Sequence, residues 1–518
     1  MVIFLLWVAV ACRGPEMAAP PRFVEGGLIH ESTSLGGTPI GNSRTTAPRW
    51  FLQKDLLPGS EIWVDDEAWE VPAKRDCVPL FSVGLGDVRR HIAQGGSAPD
   101  TAIAWDPSGT RIAVGTFLGE VLVLDAWDGS IIAQRRFSET MVKQVAWSQD
   151  GASLYVAEQS PDAFLWSLSP IDLSETWSVP LAKFVGSSPL PAANIYGVYT
   201  LPAAYDLRVL HDGSLLVIAT HAWNDAQGTR INQSQILRFS NEGEVLDVWP
   251  ETPMDAVMFR AFVSDNRAAI PVSKSSLGPP PIEAPVGGLL TFDLDTFKPI
   301  ASIQPTILEP WFTNTFVWEG VSIQKESVLL GLGDGRVSIW GTDGTFHKEL
   351  EAGSPIKAGP VPIAASVGSA FFHGSRAVYQ TSETHIPFGA AAPDLQPPTF
   401  HPRANTIFMA GADGGIIWNW TSAHALAGIS LSPDGRTMIA GTTKLAHSQR
   451  QDLFGALIFD MGMPAEEKTP QLRAFCRTES PVFFRTSSSK DGRVAVAEHP
   501  FQVDGEPAVG HYRLTVFR

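Results

Sequence analysis

The sequence lacks the short motifs that mark most metal and nucleophile sites. It contains no HExxH, HxH or CxxC motif for zinc and no GxSxG motif for a nucleophilic serine. Its 12 histidines are scattered along the chain. We therefore predict no metal, no cofactor and no catalytic residue. An enzyme that gathers its groups from distant parts of the chain stays open as an alternative.

Basic residues are also in short supply, and helical periodicity is missing. The 518 residues include 38 Lys and Arg against 54 Asp and Glu, which gives a formal net charge of −16. Such a surface repels phosphate backbones, so nucleic acid is not expected as a partner. Apolar residues do not recur at i, i+3, i+4 and i+7 over any long stretch, so few helices are expected.

The N-terminal segment MVIFLLWVAVAC (1–12) is typical of an export signal. Its apolar run is too short to span a bilayer. Residues 9–12 resemble a bacterial lipobox, in which the cysteine, here Cys12, is lipidated and becomes the mature N-terminus. Residues 13–76 follow as a tether and lead-in. The expected location is the cell envelope, as a periplasmic or outer-membrane lipoprotein, and a cytoplasmic protein with an unprocessed N-terminus is the alternative.

Cysteine is rare, with only Cys12, Cys77 and Cys476 in the chain. If Cys12 carries lipid, two cysteines remain, and an exported compartment permits a disulfide between them. Cys77 precedes the first repeat and Cys476 lies near the C-terminus, so this bond would staple a ring shut. Two separate, half-buried thiols are the alternative.

One pattern occurs twice, in residues 102–129 and 142–169. Each copy reads as a short apolar strand ending in Trp, a polar Gly turn, an alternating strand, a second turn and a third strand. The matching residues are Trp105 and Trp147, and Gly109 and Gly151, with 42 residues between the members of each pair (147 − 105 and 151 − 109). A period near 40 with three or four strands per unit is the signature of β-propeller blades.

The expected fold is therefore all-β, a single propeller over residues 77–518 with seven or eight four-stranded blades. Nine candidate turns leave the count open, because Gly414 and Gly435 are only 21 residues apart (435 − 414). Residues 78–90 and the C-terminal strand 511–518 are expected to pair in the last blade and close the ring. The tryptophans at equivalent strand positions are expected to pack between blades: Trp105, Trp147, Trp166, Trp340 and Trp418.

Three segments resemble WD40-type blades, in the divergent form also seen in quinoprotein-like bacterial propellers. They are SPDGRTMIAGTTK (432–444), DPSGTRIAVGTFLGEVLVLD (106–125) and GDGRVSIWGTDG (333–344). The Gly-His pair that opens the family's blades is absent. The closing Trp-Asp pair is relaxed to Leu124-Asp125, Trp166-Ser167, Trp340-Gly341 and Phe459-Asp460. The resemblance covers most of residues 101–518, and it implies a rigid platform for proteins or peptides, usually without catalysis.

Two segments that interrupt the strand pattern are candidate contact loops. The polar segment 221–234 carries a tryptophan that serves either as a contact surface or as an anchor for its own loop. The segment 274–288 is rich in proline and favours an extended polyproline conformation, either to dock on a partner or as a stiff insertion. The candidate contact residues are His221, Trp223, Asn224, Asp225, Pro279, Pro280 and Pro281.

The sequence thus favours a non-catalytic binding or scaffold propeller at the bacterial cell envelope. Loops on one face of the ring would contact a protein or peptide partner, and the only membrane contact would be the N-terminal lipid. Two alternatives stay open. One is a periplasmic propeller enzyme, such as a quinoprotein-like dehydrogenase or a hydrolase, with its site on the ring axis. The other is an intracellular WD40-type adaptor.

Overall fold

The computed structural model describes most of the chain from Cys77 onwards. The described residues are 32–33, 77–93, 99–137, 141–187, 200–225, 227, 229–273, 288–306, 320–358, 361–385, 401–422, 424–443, 454–466, 468–502 and 507–518. They contain 35 strands and two short helices, which confirms the prediction that helices are few.

The first half of the described chain forms blades 1 to 4 and supplies two strands of blade 8. The strands β1 (Ser32–Thr33) and β2 (Pro79–Gly84) belong to the last blade, and the helix α1 (Arg89–Ala93) follows them. Blade 1 contains β3 (Ala102–Trp105), β4 (Arg111–Gly115), β5 (Glu120–Asp125) and β6 (Ile131–Arg136). Blade 2 contains β7 (Met141–Trp147), β8 (Leu154–Gln159), β9 (Phe164–Leu168) and β10 (Glu175–Pro180), followed by the helix α2 (Ala182–Val185). Blade 3 contains β11 (Ala203–Val209), β12 (Leu215–Asn224), β13 (Arg230–Phe239) and β14 (Val245–Met254). Blade 4 contains β15 (Val257–Met258), β16 (Phe262–Ser264), β17 (Arg267–Ser273), β18 (Gly288–Asp293) and β19 (Lys298–Ile303).

The second half forms the other four blades. Blade 5 contains β20 (Val321–Gln324), β21 (Ser327–Gly331), β22 (Val337–Gly341) and β23 (Phe346–Leu350). Blade 6 contains β24 (Ile356–Ala358), β25 (Val361–His373), β26 (Arg376–His385), β27 (Thr406–Ala410) and β28 (Ile416–Thr421). Blade 7 contains β29 (Ala425–Leu431), β30 (Thr437–Thr443), β31 (Phe454–Asp460) and β32 (Gln471–Thr478). Blade 8 contains β33 (Val482–Ser487), β34 (Val494–Glu498) and β35 (Arg513–Phe517) together with β2 and β1.

Eight antiparallel blades form a closed ring, so the upper of the two predicted counts is right. Contacts between the innermost strands run from blade to blade, and β33 of blade 8 contacts β3 of blade 1. Gly414 lies in the last turn of blade 6, whereas Gly435 lies in the first turn of blade 7. Their short spacing therefore reflects two different turns rather than an abbreviated blade.

The ring closes through its two chain ends, as the sequence predicts. The strand β2 pairs antiparallel with β35, with Phe81 opposite Val516 and Val83 opposite Leu514. The four side chains are fully buried and belong to one hydrophobic cluster between blades 8 and 1. Pairing an N-terminal strand with a C-terminal one removes the free edges that an open ring would expose.

Tryptophans fill the spaces between blades, which confirms their predicted role. The indole Nε1 of Trp147 in blade 2 donates a hydrogen bond to the Ala104 carbonyl oxygen of blade 1 at 3.0 Å. Trp418 of blade 6 lies edge-on to Phe459 of blade 7, with 6.1 Å between ring centres. Neighbouring radial sheets diverge towards the outside of a ring, and large side chains fill that gap.

Two arginines make equivalent contacts at two blade interfaces. Arg111 of blade 1 donates from Nη2 to the Gly151 carbonyl oxygen of blade 2 at 2.9 Å. Its guanidinium lies 4.6 Å from the centre of the Trp147 ring, and its Nε donates to Asp106 at 3.1 Å. This arrangement combines a charge-assisted hydrogen bond with a cation–π contact.

Arg493 makes the equivalent contact where blade 8 meets blade 1. Its Nη2 donates to the Gly109 carbonyl oxygen at 2.5 Å, its Nη1 donates to the Ala126 carbonyl oxygen, and its Nε donates to Asp491 at 2.8 Å. The guanidinium also lies 5.3 Å from the centre of the Trp105 ring and 3.8 Å from that of Trp127. The side chain is fully buried. Arg493 thus ties the two ends of the repeat array together, and we call this set of contacts the closing latch.

Inner-strand serines connect blades 4 to 7. Each of three serines accepts a hydrogen bond from a backbone N–H of the next blade: Ser264 from Lys325, Ser322 from Phe372 and Ser369 from Ile429. Such bonds hold the inner strands of consecutive blades in fixed register. The result is a rigid ring on which surface segments are held in place.

Candidate functional site

The two faces of the ring carry connections of different length. In each blade the turn after the first strand and the turn after the third strand lie on one face, which we call the short-turn face. The second and fourth strands end on the other face, which we call the long-connection face. From β2 onwards, the longest stretches of sequence between successive strands all follow a strand that ends on this face; they are residues 85–101, 181–202, 274–287, 304–320, 386–405 and 499–512.

Residues 221–234 form part of a hairpin on the long-connection face, so the prediction of a polar loop there was wrong. The strands β12 and β13 pair without interruption from Leu215–Phe239 to Asn224–Arg230. The turn between them is closed by Asp225, whose Oδ1 accepts hydrogen bonds from the backbone N–H groups of Gln227 at 2.9 Å and Thr229 at 2.8 Å. The sequence did not indicate this hairpin because its strands carry polar side chains. Those side chains are buried by partners from other parts of the chain, which the local pattern does not record.

The base of the hairpin is held from blade 4. Thr220 and Ser234 lie opposite each other with 2.9 Å between their hydroxyl oxygens. Thr220 donates to the Met258 carbonyl oxygen at 2.9 Å, and Ser234 donates to the Ala256 carbonyl oxygen at 2.7 Å. Both hydroxyl groups are fully buried and satisfied, as buried polar groups must be. The hairpin therefore stands on a fixed base.

The hairpin is also joined to blade 2, because the sheets of blades 2 and 3 are continuous. Ala203 at the start of β11 pairs with Gln159 at the end of β8. The Gln159 side-chain amide donates to the Leu201 carbonyl oxygen at 3.0 Å. This junction lies on the long-connection face, next to the chain that leads from α2 into blade 3.

His221 and Trp223 stack on each other near the tip of the hairpin, with 4.0 Å between ring centres and 27° between planes. The His221 side chain is 0 % exposed. Its ring nitrogens lie 3.2 Å from the Val185 carbonyl oxygen and 3.1 Å from the Thr200 carbonyl oxygen, and the protonated nitrogen donates. Burial lowers the pKa of His221, although the backbone hydrogen bonds partly oppose this effect. The buried His221 thus supports the indole of Trp223 instead of contacting a partner directly.

The other predicted contact residues fall into two groups. Trp223 and Asp225 are half-buried and Asn224 is exposed, so these three residues are at the surface of the hairpin tip. Pro279, Pro280 and Pro281 lie outside the described residues, as does Cys12. The strand β17 ends, and β18 begins, on the long-connection face.

Cys77 and Cys476 form a disulfide, with 5.0 Å between their Cα atoms. Cys476 lies on β32, the outermost strand of blade 7, and is fully buried. Cys77 lies two residues before β2 of blade 8 and packs against the same hydrophobic cluster between the two blades. Of the two alternatives that the sequence left open, the structure has the bonded one, and the bond attaches the closing strand to blade 7.

The described part of the chain contains no group of three or more His, Cys, Asp or Glu side chains that could hold a metal ion. None of its helices is long and apolar enough to cross a membrane.

Comparison with known proteins supports the architecture alone. No protein-family model matches the chain, and no curated protein sequence matches it. The computationally designed Ika8 protein is 12% identical over 81% of this chain and 96% of its own, with a TM-score of 0.50. The fold is a β-propeller. The C-terminal WD40 domain of Sif2 is 11% identical over 81% of this chain and 96% of its own (TM-score 0.49). BamB from Moraxella catarrhalis is 12% identical over 66% of this chain and 81% of its own (TM-score 0.41).

Proposed function

We propose that this protein is a non-catalytic binding scaffold that holds a protein or peptide partner on its long-connection face. The observation that carries this proposal is the unequal distribution of connections between the two faces of one rigid ring. Binding residues are commonly carried on loops that a rigid scaffold positions. The hairpin of blade 3 supplies a half-buried Trp223 and an exposed Asn224 on this face, and aromatic anchors of this kind are common in protein interfaces.

The fixed base of the hairpin supports this proposal on energetic grounds. Hydrogen bonds from Thr220 and Ser234 to blade 4 and from Gln159 to Leu201 hold the hairpin before any partner arrives. His221 holds the indole of Trp223 by stacking. A preorganised surface loses little conformational entropy on binding, so more of the contact energy appears as affinity.

A photo-crosslinking residue at Asn224 tests the binding face. We expect the substituted protein, expressed at its native location, to form a discrete adduct with one partner protein after irradiation. The matched control carries the same photoreactive residue in place of Ile171, which is 75% exposed in a turn of blade 2 on the short-turn face. Adducts from Ile171 alone, or the same adducts from both positions, would contradict the proposed face.

We also propose that the protein is exported and attached to the cell envelope through a lipid on Cys12. The buried Cys77–Cys476 disulfide supports export, because disulfides persist in oxidising compartments and are rare in the cytosol. The lipobox-like residues 9–12 support the attachment.

Intact mass and membrane fractionation test this location. We expect the protein expressed with its own N-terminus to lose residues 1–11, to gain a diacylglyceryl group and to sediment with membranes. Cys12→Ser should remain unmodified and should not sediment with membranes. In both proteins Cys77 and Cys476 should resist alkylation until a reductant is added to the unfolded chain. An unprocessed wild-type protein with two free thiols would support the intracellular adaptor instead.

A further inference from the structure

The outer strands of the blades differ in how they are protected against pairing with another chain. A free strand edge presents unpaired backbone groups, and natural proteins blunt such edges with charge, proline or a covering strand. Seven of the eight outermost strands follow this rule. The blunting residues are Arg135 and Arg136 in β6, Glu175 and Pro180 in β10, Asp247, Pro250, Glu251 and Pro253 in β14, Lys298 and Pro299 in β19, Lys348 and Glu349 in β23, Arg473 and Arg477 in β32, and Pro79 in β2, which β1 also covers.

The outermost strand of blade 6 is the exception. Its sequence, IIWNWT (residues 416–421), contains neither a charged residue nor a proline. Within the described part of the chain β28 pairs only with β27 and ends its sheet. Ile417 is 45% exposed, and Asn419 is exposed as well. Uncharged strands rich in β-branched and aromatic residues have the highest tendency to pair with another strand.

The hydrogen-bond pattern identifies which backbone groups of β28 face outwards. The Asn405 carbonyl oxygen accepts from the Ser422 N–H at 2.8 Å, and at the other end of β27 the Gly411 N–H donates to the Gly415 carbonyl oxygen at 2.8 Å. The alternate residues between them, Ile407 and Met409, therefore also face β28, where they lie opposite Trp420 and Trp418. Hydrogen-bonded pairs alternate with non-bonded pairs in an antiparallel ladder. Trp420 therefore directs its backbone groups towards β27, and the N–H and C=O groups of Asn419 and Thr421 point to the free edge.

Blade 7 holds β28 in an extended conformation. The rings of Trp418 and Trp420 lie edge-on to the fully buried Phe459, with 6.1 Å and 5.4 Å between ring centres. The Asp413 carboxylate accepts a hydrogen bond from the Gly415 N–H at 3.0 Å in the turn that precedes the strand. An incoming strand would thus meet an edge that is already ordered, which lowers the entropic cost of pairing.

We propose that the edge of β28 is a second interaction site, at which an extended segment of a partner protein adds a strand to blade 6. A row of alternating backbone donors and acceptors is complemented by another extended polypeptide, so the chemistry of the edge defines the class of occupant. Because Ile417 and Asn419 are exposed, the edge favours a segment that places one apolar and one small polar side chain beside these two residues. This site lies on the outer perimeter of the ring and is independent of the long-connection face.

A variant with proline at the edge tests the proposal without breaking the blade. In Asn419→Pro the lost N–H is one that points outwards, so the ladder between β28 and β27 remains intact. Ile417→Lys blunts the edge with charge, as arginine and lysine do on other blades. Ile300→Lys is the matched control, because Ile300 is 39% exposed on β19, an outer strand that a lysine and a proline already protect.

The probe is a fluorescent peptide of alternating threonine and valine, titrated into the full chain and followed by anisotropy. We expect wild type and Ile300→Lys to bind it equally and both edge variants to bind at least about tenfold more weakly. Hydrogen exchange should show new protection at the amides of Asn419 and Thr421 in the wild-type complex. Circular dichroism and the melting temperature should be the same for all four proteins.

Three outcomes would overturn the proposal. The first is equal binding by wild type and the two edge variants. The second is protection that appears on another outer strand and not on β28. The third is self-association of wild type that Ile417→Lys abolishes, because a second copy of this chain would then occupy the edge. Crosslinking at Asn224 is a separate test, because Asn224 lies on the long-connection face and β28 lies on the outer perimeter of the ring.

Discussion

Deletion of residues 511–518 is expected to open the ring and abolish cooperative unfolding. These residues contain β35, which pairs with β34 on one side and β2 on the other. The Leu514, Val516 and Phe517 side chains are all fully buried. At about 1.5–3 kcal/mol for each fully buried apolar side chain, their loss removes roughly 5–9 kcal/mol. That is comparable to the whole free energy of unfolding of an ordinary domain, about 5–15 kcal/mol.

Thermal unfolding followed by circular dichroism, with size-exclusion chromatography, measures this effect. Arg518→Ala is a suitable control, because Arg518 is exposed and its backbone N–H, which donates to the Val78 carbonyl oxygen at 3.0 Å, is retained. The control should melt as wild type does. A truncated protein with an unchanged melting temperature would show that β35 does not close the ring.

The second large effect is expected from Arg493→Met, which removes the charge from the closing latch at similar side-chain length. The Gly109 and Ala126 carbonyl oxygens would lose their donor, and the Asp491 carboxylate would lose its partner. Breaking a buried charged interaction by removing one member costs about 3–5 kcal/mol. Arg493→Lys should recover only part of this loss, because an ammonium group cannot reproduce the planar, forked donor geometry.

Urea unfolding gives the free-energy difference, and blade 7 supplies a matched control. The turn there has the same Asp-Gly-Arg sequence, but its arginine, Arg436, is exposed. Arg436→Met should change the free energy of unfolding by less than about 0.5 kcal/mol, as is usual for surface positions. Equal losses for Arg493→Met and Arg436→Met would mean that the latch contributes nothing beyond the turn itself.

The blade pattern could be predicted because the interactions that define a blade are local. Gly109 and Gly151 adopt φ values of +73° and +70° in turns that any neighbouring pair of strands would need. Alternation of apolar residues marks the strands on either side. These signals are contained within a few residues, so a 42-residue repeat of Trp105 and Trp147 was enough to indicate blades and their packing.

The candidate site could be predicted only in outline. Trp223 was expected in a loop outside the strand pattern, whereas it lies within the strand β12 of a hairpin. Its buried polar residues, such as His221 and Thr220, find their partners in the chain before β11 and in blade 4. A sequence pattern records that these residues are polar, and it does not record which distant carbonyl oxygens satisfy them.

The sequence by itself determined that this chain is a propeller closed by its two ends, because strand alternation, turn glycines and terminal strands are properties of short segments. The tertiary structure alone decided that Arg493, and not Arg436, is buried in the closing latch, that Cys77 meets Cys476, and that β28 is an outer strand without protection. The physical reason is the same in each case. Arg493 and Gly109 are 384 residues apart, the two cysteines are 399 residues apart, and the exposure of β28 depends on its position at the end of a sheet. Such contacts arise only when the ring closes.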